Sequence, residues 1–311
     1  MQLDLFQHVP RFYHRSLEAL GELDLHECRE ALARHRRECP QGPDPEPVAA
    51  AARWLEARLP EESTEFEPFA AAALSLCRTL RESDNVPAAL APGTAAARWV
   101  VVSLARRALR GWCSETSQTA GPGPLRGLLA VLAGRHAEAR RSLQAFFQGK
   151  GPDAAAYLAL AEAAAALGRD HEAVCAAREG YGLDPLGTAW GPAPQWVVDL
   201  RREFCGDPDY AGPWWLVGAY LDQRLPRIEA APAPVLEARL ERFLRTTGEP
   251  PAQFYAGLFL SEHGPLLPHA ALTTVRRTLR TLHPEAYAAH MECLKELGPL
   301  EGAAGKGACG W

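Results

Sequence analysis

The sequence predicts an all-α protein of stacked antiparallel helix hairpins, either open as a solenoid or closed into a globular array. Three observations carry this expectation. One segment repeats: GRHAEA at 134–139 returns as GRDHEA at 168–173, an interval of 34 residues, which is the length of one helix–turn–helix unit. The pairs Gly127/Ala161, Ala130/Ala164, Arg135/Arg169 and Glu138/Glu172 keep the same interval. Elsewhere, apolar residues recur at helical spacing over stretches of 10–18 residues bounded by proline or glycine. Finally, no two segments alternate in the manner of paired strands.

Taken in chain order, residues 11–20 read as a helix, and Asp24 and Glu27 have the spacing of a capping box for a helix to about residue 39. Residues 40–47 form a proline-rich turn. Val48, Ala51, Ala52, Leu55 and Leu59 then make one apolar stripe on a helix over 47–59. After a turn at 60–67, a helix opens at Pro68 and ends near Asn85, and Thr94 caps the next, over 95–112. Proline just inside a helix start costs nothing, because the missing N–H would have had no partner there. Polar and then Gly/Pro-rich residues mark a linker at 116–123. The repeat pair occupies 124–185. Beyond it, helices are expected at 195–204, 214–225, 234–246, 251–263, 268–283 and 284–297, with a disordered Gly/Ala-rich tail at 298–311. Five regions result: helical 1–115, linker 116–123, repeats 124–185, helical 186–297 and the tail 298–311.

Composition narrows the functional classes. An apolar fraction of 47% suffices for a core, and 23% charged residues with a net charge of −5 argues against general nucleic-acid affinity. Only Lys150, Lys295 and Lys306 among the 33 basic residues are lysines, which we read as coding bias. The eight cysteines include no C-x-x-C pair, and several fall on apolar helix faces as small hydrophobes. Residues 1–10 lack the basic flank of a secretory signal, and the apolar run at 99–104 is too short to span a bilayer. A cytoplasmic protein with reduced thiols, outside the membrane, is expected.

The second copy of the repeat is the more regular. Tyr157, Leu160, Ala161, Ala164, Gly168, Ala173 and Pro185 stand where small residues let two helices approach and larger ones fill the space around them. With these residues the segment resembles a tetratricopeptide repeat. The first copy departs from that pattern at Gly123, Arg126 and Gly151. The resemblance implies a groove lined by the first helix of each pair and a role in binding a peptide or helix of a protein partner. In the second copy, however, Glu162 is the only charge on that helix after Asp153. A helix apolar all round is normally buried all round, so the groove is expected to be filled by the chain itself, with a partner helix as the alternative.

Two sets of residues are candidates for partner binding. Gln2, Leu3, Asp4, Leu5 and Phe6 read QLDLF. This is similar to the linear motif by which bacterial replication and repair proteins dock on the DNA sliding clamp. The resemblance implies that Leu5 and Phe6 enter an apolar pocket while Gln2 supplies directed hydrogen bonds. The alternative is that Leu3, Leu5 and Phe6 pack on the first helices. Trp190, Trp196, Trp214 and Trp215 form the second set, either as interface anchors displayed by Gly/Pro turns or as core between the repeats and the C-terminal helices.

No catalytic motif is present, and neither a cofactor nor a metal is expected. His35 and Cys39 share a helix face, but His26, Cys28, His283 and His290 do not complete a ligand set. A non-catalytic interaction or adaptor module is therefore the leading reading. Two alternatives remain: an all-α enzyme with its site between the N-terminal helices and the repeats, and a nucleic-acid-associated protein. The latter would use Arg106, Arg107, Arg110, Arg276, Arg277 and Arg280 on a common face.

Overall fold

A computed structural model describes residues 5–59, 66–83, 85–114, 124–149, 153–184, 194–206, 208–210, 212–225, 233–245 and 248–297. The expected linker at 116–123 and tail at 298–311 lie outside the described residues. The described chain is helical throughout, with no strand. It divides into two compact units, Met1–Ala139 and Arg140–Trp311. The division falls inside a helix of the first repeat copy.

The first unit contains α1 (Leu5–Gly21), α2 (Leu25–Glu38), α3 (Glu46–Glu56), α4 (Phe66–Glu82), α5 (Ala95–Ser114), α6 (Pro124–Leu132) and the start of α7 (His136–Gly149). Asp24 accepts the Glu27 N–H at 2.9 Å and opens α2, and Thr94 accepts the Ala97 N–H at 3.2 Å and opens α5, both as the sequence predicts. α1 starts six residues earlier than expected and runs through Pro10, which has no N–H to offer the Phe6 carbonyl. The core is a band of fully buried Leu20, Val48, Leu55, Leu80, Val100 and Leu104, contributed by α1, α3, α4 and α5. α1 and α5 meet where Gly21 faces Trp99: a Cβ on Gly21 would lie 2.8 Å from the tryptophan Cβ, so glycine is what permits the approach.

The second unit continues with α8 (Ala154–Ala166), α9 (Asp170–Leu183), α10 (Gln195–Cys205), α11 (Trp215–Leu221), α12 (Ala233–Arg245), α13 (Pro250–Glu262), α14 (His269–Leu282) and α15 (Pro284–Leu297). α11 is shorter than its apolar run: Gly212–Trp214 forms a 3-10 turn ahead of it, and left-handed Gln223 stops it at Leu221, well before Leu225. α8 is buried at Ala156, Leu158, Ala159, Leu160, Ala161, Ala163 and Ala164, with Glu162 half-buried. The all-round burial expected of an alanine-rich helix is therefore present. Leu158 of α8 seats over Gly180 of α9, and the Phe147 ring of α7 stacks on Tyr157 at 4.1 Å.

Four helices end in the same way. Leu23 (φ 62°), Gly134 (75°), Gly168 (68°) and Gln223 (56°) take the left-handed conformation after the last helical turn. At Gly134 its own N–H bonds Val131 O at 2.9 Å, and the Arg135 N–H bonds Ala130 O at 2.8 Å. Thirty-four residues later Gly168 bonds Ala165 O at 3.0 Å and Arg169 bonds Ala164 O at 2.9 Å. The repeat in the sequence is thus a repeat of backbone hydrogen bonds. Leu23 and Gln223 make the same pair of bonds, to Leu20 and Tyr220, with Asp24 and Arg224 bonding back to Ala19 and Ala219. This two-bond stop satisfies carbonyls that a helix end leaves unpaired, and glycine is its favoured residue. At exposed Gln223 the Cβ only adds strain. Replacing it with glycine is expected to raise stability by about 0.5–1 kcal/mol, the relief of strain less glycine's added entropy in the unfolded chain. A higher denaturant midpoint at unchanged slope would show it.

Candidate functional site

Of the residues expected to bind a partner, Gln2, Leu3, Asp4 and Trp190 lie outside the described residues, while Leu5 and Phe6 open α1. Trp196 is half-buried on α10. Trp214, also half-buried, sits edge-on to Phe254 at 5.6 Å and to His283 at 5.0 Å. Trp215 is 1% exposed and meets Tyr181 edge-on at 5.0 Å, so its indole surface is covered within its own unit. The arginine triplets lie in different units: Arg106, Arg107 and Arg110 on α5, and Arg276, Arg277 and Arg280 on α14. Among the described residues, no three His, Cys, Asp or Glu side chains converge as metal ligands, and no helix is long and apolar enough to cross a membrane.

The densest polar constellation of the second unit is one the sequence reading did not select. Arg178 of α9 has a side chain 1% exposed and Glu262 of α13 one that is 0% exposed. One guanidinium nitrogen donates to both Glu262 carboxylate oxygens, at 2.9 and 3.1 Å, and Nε donates to the Tyr255 hydroxyl at 3.1 Å. The guanidinium also lies over the Tyr220 ring of α11, 4.9 Å from its centre. Three helices therefore converge on one buried cation. Alongside, Arg239 of α12 pairs with Glu179 and lies 3.7 Å over the Phe259 ring, while Arg242 donates to the Leu183 carbonyl at the end of α9. A sequence signal existed for the central pair: Arg178, with Glu179, interrupts the apolar residues between Ala177 and Tyr181, and Glu262 ends the run of α13.

Electrostatics keeps this constellation charged and fixed. Burial alone would lower the Arg178 guanidinium, but Glu262, Tyr255 and Tyr220 outweigh it and leave it raised. Burial pushes the Tyr255 phenol up against the opposing pull of Arg178, so it remains a neutral acceptor for that arginine. Burial, with Arg178 and Arg242 nearby, lowers Arg239 to about 10, still far above neutrality. These groups hold α9, α11, α12 and α13 together; near neutral pH Arg178, Arg239 and Tyr255 do not exchange protons. His263, just beyond α13, behaves differently. Its Nδ1 donates to the Phe259 carbonyl at 2.9 Å, and Nε2 is buried without a hydrogen-bond partner. Burial holds this imidazole below its ordinary value and Arg178 and Arg239 add to that, against the opposing pull of the Phe259 carbonyl and Glu262.

The chain matches no family model, no curated protein and no solved structure.

Two outcomes are expected from the buried groups. Arg178→Met or Glu262→Leu alone leaves an unpaired buried charge and should cost about 3–5 kcal/mol, whereas the double substitution should recover most of that loss. Chemical denaturation of the three variants measures the coupling. For His263, the folded pKa lies below the unfolded value of about 6.5, so the unfolded chain takes up the proton first. Its contribution is fully present above that value and is lost as pH falls from it through the folded pKa. His263→Asn, which keeps a donor for Phe259, should flatten the decline in denaturant midpoint between pH 7 and 5.

Proposed function

We propose that this chain is a non-catalytic interaction or adaptor module built on tetratricopeptide-like hairpins, acting in the bacterial cytoplasm and docking on the DNA sliding clamp through Gln2, Leu3, Asp4, Leu5 and Phe6. The observation that supports the repeat reading is the interval of 34 residues, kept by both the residues and the turn hydrogen bonds at Gly134 and Gly168. The ion-pair pattern follows it: Arg135 lies 3.5 Å from Glu138, and Arg169 lies 3.5 Å from Glu172. Glu172 also accepts from Arg140 of α7 at 2.8 Å, tying the second helix of one copy to the second helix of the next. Contacts of this kind are what consecutive stacked repeats require.

Burial along α8 supports a groove already occupied by the chain's own residues, which directs partner binding to ends and edges. The part-exposed rings of Trp196 and Trp214 support such a role. For the clamp motif, the first turn of α1 supplies the means of presentation. Its N–H groups have no intrahelical partners, and Pro10 cannot bond Phe6 O, so unwinding Leu5 and Phe6 into an extended peptide breaks few hydrogen bonds.

The test is direct binding of the full chain to a purified bacterial sliding clamp by isothermal titration. Wild type should bind, and Leu5→Ala with Phe6→Ala should weaken binding by roughly tenfold or more, as expected for two central anchors. No binding by wild type, or equal binding by the variant with α-helical content unchanged, would remove the clamp from the proposal.

A further inference from the structure

α1 and α2 are joined by three residues and run antiparallel, and an open hollow of about 610 Å³ lies along their seam. Charge is distributed unequally along it. At one end Arg15 donates to Glu27 at 3.1 Å and reaches Glu18 at 4.0 Å, so that charge is internally compensated. Arg11 of α1 and Arg34 of α2 also line the hollow; both are exposed, and neither has an ion-pair partner among the described residues. The other arginines of these two helices are engaged: Arg29 with Glu56, Arg36 with Glu46, and Arg37 with the Ala33 carbonyl. The two arginines of the hairpin that have no acceptor among the described residues therefore share one hollow. Between them the lining includes half-buried Phe12 and buried Ala31.

Two like charges held in one concavity raise its potential and select for an anion. Guanidinium forks match carboxylates in bidentate geometry. The half-buried Phe12 ring adds a surface for an apolar side chain. A nucleic-acid strand fits less well, because its continuous phosphates would run onto Glu18 and Glu27 at the other end. We infer that the α1/α2 hollow is a docking site for an acidic peptide segment of a protein partner, with carboxylates on Arg11 and Arg34 and an apolar residue over Phe12. This site does not depend on Gln2 through Phe6 and stands or falls separately from clamp docking.

The probe is a fluorescein-labelled peptide, Asp-Glu-Phe-Asp-Glu, titrated with the full chain and followed by anisotropy at low salt. Arg11→Ser with Arg34→Ser should weaken binding by roughly tenfold or more. Arg29→Ser with Arg36→Ser removes the same charge outside the hollow and should weaken it by about threefold or less. Arg11→Glu with Arg34→Glu should lose the acidic peptide and gain binding of a Lys-Arg-Phe-Lys-Arg peptide, which also shows that the hairpin is folded. The inference is overturned if wild type does not bind the acidic peptide, or if the two serine variants lose affinity equally. It is likewise overturned if inorganic phosphate or a single-stranded oligonucleotide of equal charge displaces the peptide as effectively as unlabelled peptide does.

Discussion

A single left-handed residue after the last helical turn is what folds this chain back on itself. At Leu23, Gly134 and Gly168 the same two backbone bonds close a helix and turn the chain into the next one, and at Gln223 they close α11. A helix that is apolar on one face cannot persist alone, since most helical stability comes from packing that face. An immediate reversal supplies a neighbour at once. α2 follows α1 after three residues, and α9 follows α8 after three. Small residues then set how closely the paired helices lie. Gly180 admits Leu158, and a Cβ on Gly257 of α13 would lie 2.7 Å from Leu279 of α14. Turn geometry thus determines which helices meet, and side-chain volume determines how tightly.

Within the second unit a polar centre is set into this packing. A buried guanidinium and carboxylate contribute little net stability over a well-packed apolar pair, but a misplaced partner costs several kcal/mol. Arg178 therefore acts mainly against wrong registers: only when α9, α11 and α13 are aligned do Glu262, Tyr255 and Tyr220 reach it together. Apolar contacts tolerate sliding by a turn, whereas a forked donor does not. The Arg239 and Arg242 contacts extend the same logic to α12, whose exposed Leu244 shows that its apolar stripe is only partly covered.

Much of the fold was legible because its signals are local. Asp24 and Thr94 act as helix caps whose oxygens reach only three residues ahead, and glycine at 134 and 168 marks a left-handed turn within a 34-residue frame. Leu23 and Gln223 make the same turn without the residue that advertises it. α11 is shorter than its apolar run because the stop at Gln223 leaves buried Leu225 outside the helix, and apolarity reports burial rather than helix length. Less of the site was legible. Arg178 and Glu262 are 84 residues apart, and a sequence shows the charge in each apolar run but not its complement. Trp214 and Trp215 are adjacent in sequence, yet one lies edge-on to Phe254 while the other is almost fully buried. Composition cannot separate such neighbours.

Arginine shows what composition leaves unsaid. Thirty-three basic residues with only three lysines look like a bias of the coding sequence. Yet many of the arginines connect separate helices: Arg29 joins α2 to α3, Arg126 joins α6 to α7, Arg140 joins α7 to α9, and Arg239 joins α12 to α9. A planar fork with five donors can hold a carboxylate on a neighbouring helix in a defined orientation, which an ammonium on a flexible stem does less well. Whatever its origin, the bias is used as a set of directional fasteners between helices. Within the α1/α2 hairpin, Arg15, Arg29 and Arg36 are matched to carboxylates. Arg11 and Arg34, facing one hollow and unmatched among the described residues, read against these neighbours as a place where the carboxylate comes from another molecule.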